Sequence, residues 1–409
     1  MTGHNAYFGQ LQAALQQEGE LLPRLIVDLD RLDHNIDQAV AFATQTGKTL
    51  RLVEKSLPSF QLLDYIARRA GTRRLMSFHQ PFLNLDAQHW PDADILLGKP
   101  MPAALAERFY QSLTGGFEPQ RQLQWLIDSP ERLKQYLGLA QRLGLRLNVN
   151  LELDVGLRRG GVPPGQAGAL MLSALLQRIA QHPQHLRFTG FMGYEPHVAM
   201  LPRLFGRPER LLAQAMATYQ ARVEQVQREA PALWAQALAA DGQPPLTLNT
   251  AGSPTYRLHD QEQVSNELAL GSGLLKPTHF DLPSLAGHLP ALFIATPVLK
   301  ATGAFTLPGA GWLPALISRL AGRGKQALFI YGGNWLAEPV SPAGLTASGL
   351  YGTSSNQQVL LAPTDTALQV DDLVFMRPTQ SEAVLLQFGD LLAVRAGRVV
   401  GHWPVFANQ

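Results

Sequence analysis

The chain of 409 residues contains no cysteine. That absence removes disulfide frameworks, thiol nucleophiles, zinc knuckles and thiolate-held iron–sulfur clusters together. Charge is also scarce: 16% of residues are Asp, Glu, Lys or Arg, with 34 basic against 32 acidic and a formal net charge of +2. Affinity for a phosphate backbone comes from clustered Lys and Arg that release counterions, and no dense basic run is present, so no nucleic-acid partner is expected. No apolar run approaches the roughly 20 residues of a membrane helix, and Met1 to Asn5 opens without the charged and apolar stretches of a secretory signal. The expectation is a cytoplasmic protein with a small-molecule partner and no membrane association. The 46% of hydrophobic residues is enough for a folded core. The length favours one large domain with a smaller companion.

From residue 24 to 270, short Leu-rich or β-branched runs alternate with longer amphipathic stretches, the pattern of parallel strands joined by helices. The runs lie at 25–29, 50–53, 74–78, 94–97, 122–127, 145–153, 188–192, 246–249 and 264–268. Helices are expected over 33–43, 60–69, 102–113, 130–143, 164–179 and 207–230, with Ser129 capping the fourth ahead of Pro130. Eight strands close a (β/α)8 TIM barrel. The first of the nine runs is then released to the tail, where helical periodicity fades. Runs at 290–300, 326–331, 359–361, 373–376, 383–388, 391–394 and 398–405 read there as strands between turns. The fold class is α/β: a (β/α)8 barrel over 31–270, and a β-rich domain made of 271–409 together with 1–30.

In such a barrel, chemistry gathers at the C-terminal strand ends. Lys55, one of seven lysines in the chain, follows the first barrel strand. A lysine at that rim is a candidate Schiff-base nucleophile; the plainer alternative is a surface lysine paired with Glu54. After the fifth barrel strand, Asp154-Val155-Gly156-Leu157-Arg158-Arg159-Gly160-Gly161-Val162 forms a polar loop suited to an anionic or planar ligand, or else a tight turn whose charges pair internally. The sixth ends in Gly193-Tyr194-Glu195-Pro196-His197. The seventh ends in Asn249-Thr250-Ala251-Gly252-Ser253-Pro254-Thr255, where Gly252, Ser253 and Thr255 sit in the place at which barrels commonly cradle phosphate. Gly271-Ser272-Gly273, after the eighth, could add backbone amides. A rim lysine opposite a phosphate cradle points to pyridoxal 5′-phosphate.

Taken in order, these motifs resemble the fold-type III pyridoxal-phosphate enzymes, in the D-threonine aldolase/D-serine dehydratase branch of the alanine racemase-like family. The resemblance spans nearly the whole chain. It begins at Pro23 to Ile36, continues through Arg51-Leu52-Val53-Glu54-Lys55, the Asp154 to Val162 signature and Gly252-Ser253-Pro254-Thr255, and runs on through Asn266 to Ser272 and Val399 to Val405. It implies that Lys55 is the cofactor lysine, that Arg159, Tyr194, His197, Gly252, Ser253 and Thr255 bind the cofactor, and that the protein is a homodimer. Three departures stand out. Val53 occupies a position that is usually His, and Pro196 one that is usually Gly. More consequentially, the branch's His-x-Cys or His-x-Asp metal pair aligns with Gln380 and Glu382. Gln380 is a poor transition-metal ligand, whereas Glu382 could bind a hard cation. A divalent metal is therefore an open matter. The expected function is a lyase, of aldolase or dehydratase type, acting on a D- or β-hydroxy amino acid. The alternatives are a metal-free racemase, a non-catalytic protein that binds the cofactor or an amino acid, and a phosphosugar barrel without pyridoxal phosphate.

Overall fold

Nine strands form where the apolar runs lie: β1 (Arg24–Asp28), β2 (Thr49–Val53), β3 (Arg74–Ser77), β4 (Asp94–Leu97), β5 (Leu123–Ile127), β6 (Leu147–Leu153), β7 (Leu186–Gly193), β8 (Thr247–Thr250) and β9 (Glu267–Leu270). The computed structural model describes residues 3–239, 246–304, 325–349 and 352–407, with a few positions between 306 and 316. β2 to β9 close in sequence order into a parallel barrel, with β9 pairing back onto β2 from Thr49 opposite Glu267 to Leu52 opposite Leu270. The last barrel strand begins at Glu267, three residues beyond the start of the apolar run at 264.

The barrel strands are buried on both faces, as parallel strands sandwiched between helices must be. An ion pair lies inside, Arg51 with the equally buried Glu267. Arg51 is fully buried, with its guanidinium bonded to Glu267 at 2.6 and 2.9 Å and to Asp94 at 3.1 Å, so two carboxylates compensate one cation that has lost its water. Between strands run helices Leu29–Gln45, Phe60–Ala70, Ala103–Ser112, Pro130–Leu143, Gly165–Gln181 and Pro208–Glu229. Ser129 caps the fourth through a bond from the N–H of Arg132. Helix Gln80–His89 was not marked by the sequence pattern.

The second unit is a mostly antiparallel sheet of β10 (Leu292–Ala304), β11 (Lys325–Tyr331), β12 (Ala337–Ser341), β13 (Thr346–Ala347), β14 (Gln357–Pro363), β15 (Leu373–Pro378), β16 (Asp390–Arg395) and β17 (Arg398–Pro404), with β1 among them. β1 lies antiparallel to β10 and parallel to β16, which is the transfer of the first run to the tail that the strand count requires. Helix Ala6–Gln17, unmarked in the pattern, covers this sheet with Phe8, Leu11 and Leu15 against Ile26, Phe293 and Phe375. No helix among the described residues is long and apolar enough to cross a membrane.

One expected strand is wrong. The run at 383–388 is not extended: residues Ser381–Leu385 form a helix. Its buried positions are Ser381, Val384 and Leu385, a spacing of three and four, so one helical face is buried where strand alternation would have buried every second residue. The run was too short for its period to be read from composition.

Candidate active site

A cavity of about 200 Å³ opens at the C-terminal mouth of the barrel. The 3-10 turn Glu54–Ser56 that ends β2 turns Lys55 toward it and Glu54 away. Lys55 Nζ lies 3.6 Å from Glu382 Oε1 and 5.1 Å from the centre of the Phe78 ring. The neighbour of Lys55 in space is thus Glu382, and the pairing with Glu54 is not formed. Glu54 is instead fully buried, and burial together with nearby Asp86 pushes its carboxyl well above the usual range. Ser77 donates to Glu54 Oε2 at 3.4 Å, while Glu54 Oε1 and both Asp86 oxygens have no partner among the described residues. Burial and their mutual proximity favour the protonated form of these two carboxyls, against the weaker pull of Lys55 on Glu54.

The Asp154 to Val162 loop is a closed turn. Asp154 Oδ1 accepts from the N–H groups of Gly156 and Arg158 at 3.0 and 2.9 Å, and Val162 bonds back to Glu152 and Asp154. This leaves Arg159 at the cavity wall, its guanidinium 5.5 Å from the centre of the Tyr194 ring. Beneath it, Glu152 is pushed up to about 6, by burial first and by Asp128 next, against the pull of Arg159. The Tyr194 hydroxyl is pushed up to about 12, by burial and then by the nearby Glu195, so it remains a proton donor at neutral pH.

After β8, residues Ala251 to Pro254 line the cavity. Gly252 is there because no side chain fits: a Cβ would sit 2.5 Å from Tyr194 Cε2. Ser253 Oγ accepts from the N–H groups of Gly271 and Gly273 at 3.2 and 2.8 Å, which joins the turn after β8 to the loop after β9. The N–H groups of Ser253 and Ser272 have no protein acceptor among the described residues. They are the amides that remain for an anion.

Three of the expected residues stand outside the cavity. Thr255 lies behind the turn, donating to Glu195 Oε1 at 2.6 Å and accepting from the Gly252 N–H. His197 packs against Gly156 with its Nδ1 buried and unpartnered among the described residues, and burial lowers its pKa. Gln380 is exposed and does not line the cavity, whereas Glu382 does. The reason is the helix Ser381–Leu385, which directs residue 382 inward.

The motif reading also passed over Glu195, which lies between Tyr194 and His197 and is fully buried. Besides Thr255, it contacts the N–H of Ala251 at 3.3 Å and His259 Nε2 at 3.2 Å. His259 Nδ1 is 3.3 Å from Glu262, which pairs with Lys48 at 2.8 Å. This buried chain of charges supports the turn after β8 from below. A charged residue inside a short loop motif was its one trace in the sequence. Burial, which makes the charge structural, is not written there.

The alanine racemase N-terminal domain family model matches residues 27–278. No curated protein sequence matches the chain. Among solved structures, the D-threonine aldolase from Filomicrobium marinum is similar with a TM-score of 0.68 at 18% identity, covering 94% of this chain and 96% of that one. The D-threo-3-hydroxyaspartate dehydratase from Delftia sp. HT23 is similar with a TM-score of 0.69 at 16% identity, covering 95% and 98%. The alanine racemase from Bacillus anthracis is similar with a TM-score of 0.66 at 14% identity, covering 94% and 98%. At these identities the likeness establishes the barrel and its β-rich companion.

Proposed function

The chain belongs to the alanine racemase N-terminal domain family of fold-type III pyridoxal-phosphate enzymes, and from that premise we propose that it is a pyridoxal 5′-phosphate-dependent lyase acting on a D- or β-hydroxy amino acid. The observation that carries the reading is that Lys55, on the turn after β2, and the Gly252 to Pro254 turn after β8 face one cavity. The residues present fit the cofactor. A lysine stands at the mouth, a slot against Tyr194 exists only because residue 252 lacks a Cβ, and the amides of Ser253 and Ser272 await an anion. Lys55 would hold the cofactor covalently through Nζ, the Ser253 and Ser272 amides with the Tyr194 hydroxyl would hold its phosphate, and Arg159 would steady its ring. When bound, pyridoxal phosphate supplies an electron sink for the pair left at the substrate α-carbon. Lys55 Nζ, once released, carries the proton to and from that carbon.

The branch's divalent metal fits less well. Gln380 is exposed and outside the cavity, Glu382 is already engaged with Lys55, and no group of three His, Cys, Asp or Glu residues among those described could hold an ion. The reading includes a homodimer. The Lys55 and Glu382 side chains retain 46% and 35% exposure at the mouth, an opening that a second copy's β-domain would cover.

The test is reconstitution with the cofactor. The wild-type protein should turn yellow and be trapped by borohydride at Lys55, and Lys55→Ala should lose both. If K55A keeps them, the assignment falls. With a panel of D-amino acids, α-proton exchange in heavy water without cleavage would assign a racemase, and neither exchange nor product would assign a binding protein. A wild-type protein that stays colourless would leave a phosphosugar barrel.

A further inference from the structure

Glu382 stands at the point where the metal pair of the branch would act, but its surroundings are those of a proton acceptor. Its Oε2 lies 3.2 Å from the Ser272 hydroxyl and 3.3 Å from that of Ser381, and the Ser272 oxygen is 2.9 Å from Ser56 and 3.0 Å from Ser381, four contacts that the three hydroxyl protons share. These three serines come from the turn after β2, the loop after β9 and the helix Ser381–Leu385, so the carboxylate is fixed by all three elements that meet at the mouth. Its other oxygen, Oε1, has among the described residues only Lys55 Nζ, at 3.6 Å. Once Lys55 is engaged with a cofactor, Oε1 loses that partner while still facing the cavity. A group one bond beyond the carbon that Lys55 protonates is then the nearest new donor.

Resting on the reading above, we propose that Glu382 is the catalytic base for the β-hydroxyl of a β-hydroxy-α-amino acid, taking the place of a metal in an aldol cleavage. The hydroxyl proton passes to Glu382 Oε1, and the oxygen's electron pair forms the C=O of an aldehyde as the Cα–Cβ bond breaks. The pair from that bond stays at Cα, which takes a proton from the Lys55 ammonium and leaves as glycine. Glu382 then returns its proton to Lys55, so that substrate becomes glycine plus aldehyde with no other reactant. The 3.6 Å separation allows this return. Expulsion of the hydroxyl as water would instead need a proton already on Glu382. Glu382 Oε1, which takes neither hydroxyl, is the oxygen left to accept a proton from a group in the cavity. Lys55 and Tyr194 are titratable groups close to it, and Arg159 lines the same cavity.

The experiment compares the wild-type holoenzyme with Glu382→Gln and Glu382→Asp, using D-threonine for aldehyde release and D-alanine for α-proton exchange. In E382Q the cofactor colour and its borohydride capture at Lys55 should persist, while the ratio of aldehyde release to α-proton exchange falls by about a hundredfold, the usual contribution of a positioned base. E382D should recover part of the ratio. An unchanged ratio in E382Q, or wild-type cleavage abolished by EDTA and restored by Mn²⁺, would overturn the proposal. A colourless wild type overturns the cofactor reading and this one with it.

Discussion

Gly252 shows what a single atom decides at this site. Its missing Cβ is the space in which the edge of the Tyr194 ring lies, at 2.5 Å from where that atom would be. In Gly252→Ala the ring must move into the cavity, and overpacking of this kind costs about 1–3 kcal/mol. The expected outcome is cofactor affinity at least roughly tenfold weaker in an absorbance titration, because the displaced ring takes the hydroxyl out of place. Gly252 was legible in the sequence, since the Gly-Ser-Pro-Thr pattern at a strand end marks a turn with free amides. Glu382 was legible as an anomaly only: its position was flagged by Gln380 two residues earlier, but its partner lies 327 positions away in the chain. Lys55 was readable by position, and the alternative of a pair with Glu54 does not form, because the two residues are adjacent in sequence and diverge in space.

Among the elements around the cavity are the turns after β2, β7 and β8, the loop after β9, the loop after β6 that carries Arg159, and the helix Ser381–Leu385. What holds the first four is polar and buried. His259 illustrates the electrostatics: burial alone would depress the imidazole, but Glu195 and Glu262 overcome it and hold it up to about 9. Against an unfolded value of 6.5, this contribution is fully present below pH 6.5 and is lost as pH rises through 9. Glu262 runs the other way. Burial opposes its ionisation, but His259 and Lys48 bring it down to about 2 from 4.5, so its contribution is present above pH 4.5 and is lost as pH falls through 2. Both are complete between pH 4.5 and 6.5. Thermal unfolding of the cofactor-free protein should show a midpoint that declines between pH 6.5 and 9, by the equivalent of about 3 kcal/mol for this histidine. His259→Gln should flatten that decline; an equally steep decline in the variant would show that other groups carry it. Apart from Glu195, none of this network was visible in a motif. Lys48, Glu195 and the His259 to Glu262 loop are three separate segments, and only the closed barrel brings them together.

At the scale of the whole molecule, the barrel and the sheet are joined without a linker. β1 lies in the sheet and runs directly into helix Leu29–Gln45 of the barrel, where Asn35 donates to the carbonyls of Leu274 and Leu289 and accepts from the N–H of Leu289, all at 2.7 Å. The buried amide of Asn35 thereby satisfies the chain as it leaves the barrel. Through this junction the helix carrying Glu382 is set against the barrel mouth. The proposed homodimer belongs to the same scale. Light scattering should give twice the chain mass, and dilution to the monomer should lower turnover several-fold, because an open mouth readmits water to the ion pair of Lys55 and Glu382. Full turnover in a demonstrated monomer would count against a second copy as the cover.

Apolar period and turn chemistry are local quantities, and they were sufficient for the barrel, the number of its strands, the transfer of β1 to the tail and most of the sheet. They also sufficed for Lys55 and the Gly252 turn, because a strand end in a barrel has a known place. They failed at residues 383–388, where four or five apolar residues fit either a strand or a helix until burial picks a face. Which carboxylate meets Lys55, which histidine is charged, and which motif residues lie behind the cavity depend on distances between segments far apart in the chain, and on the loss of water that makes a buried charge seek its partner. Those contacts exist only once the barrel has closed and the sheet has docked against its mouth.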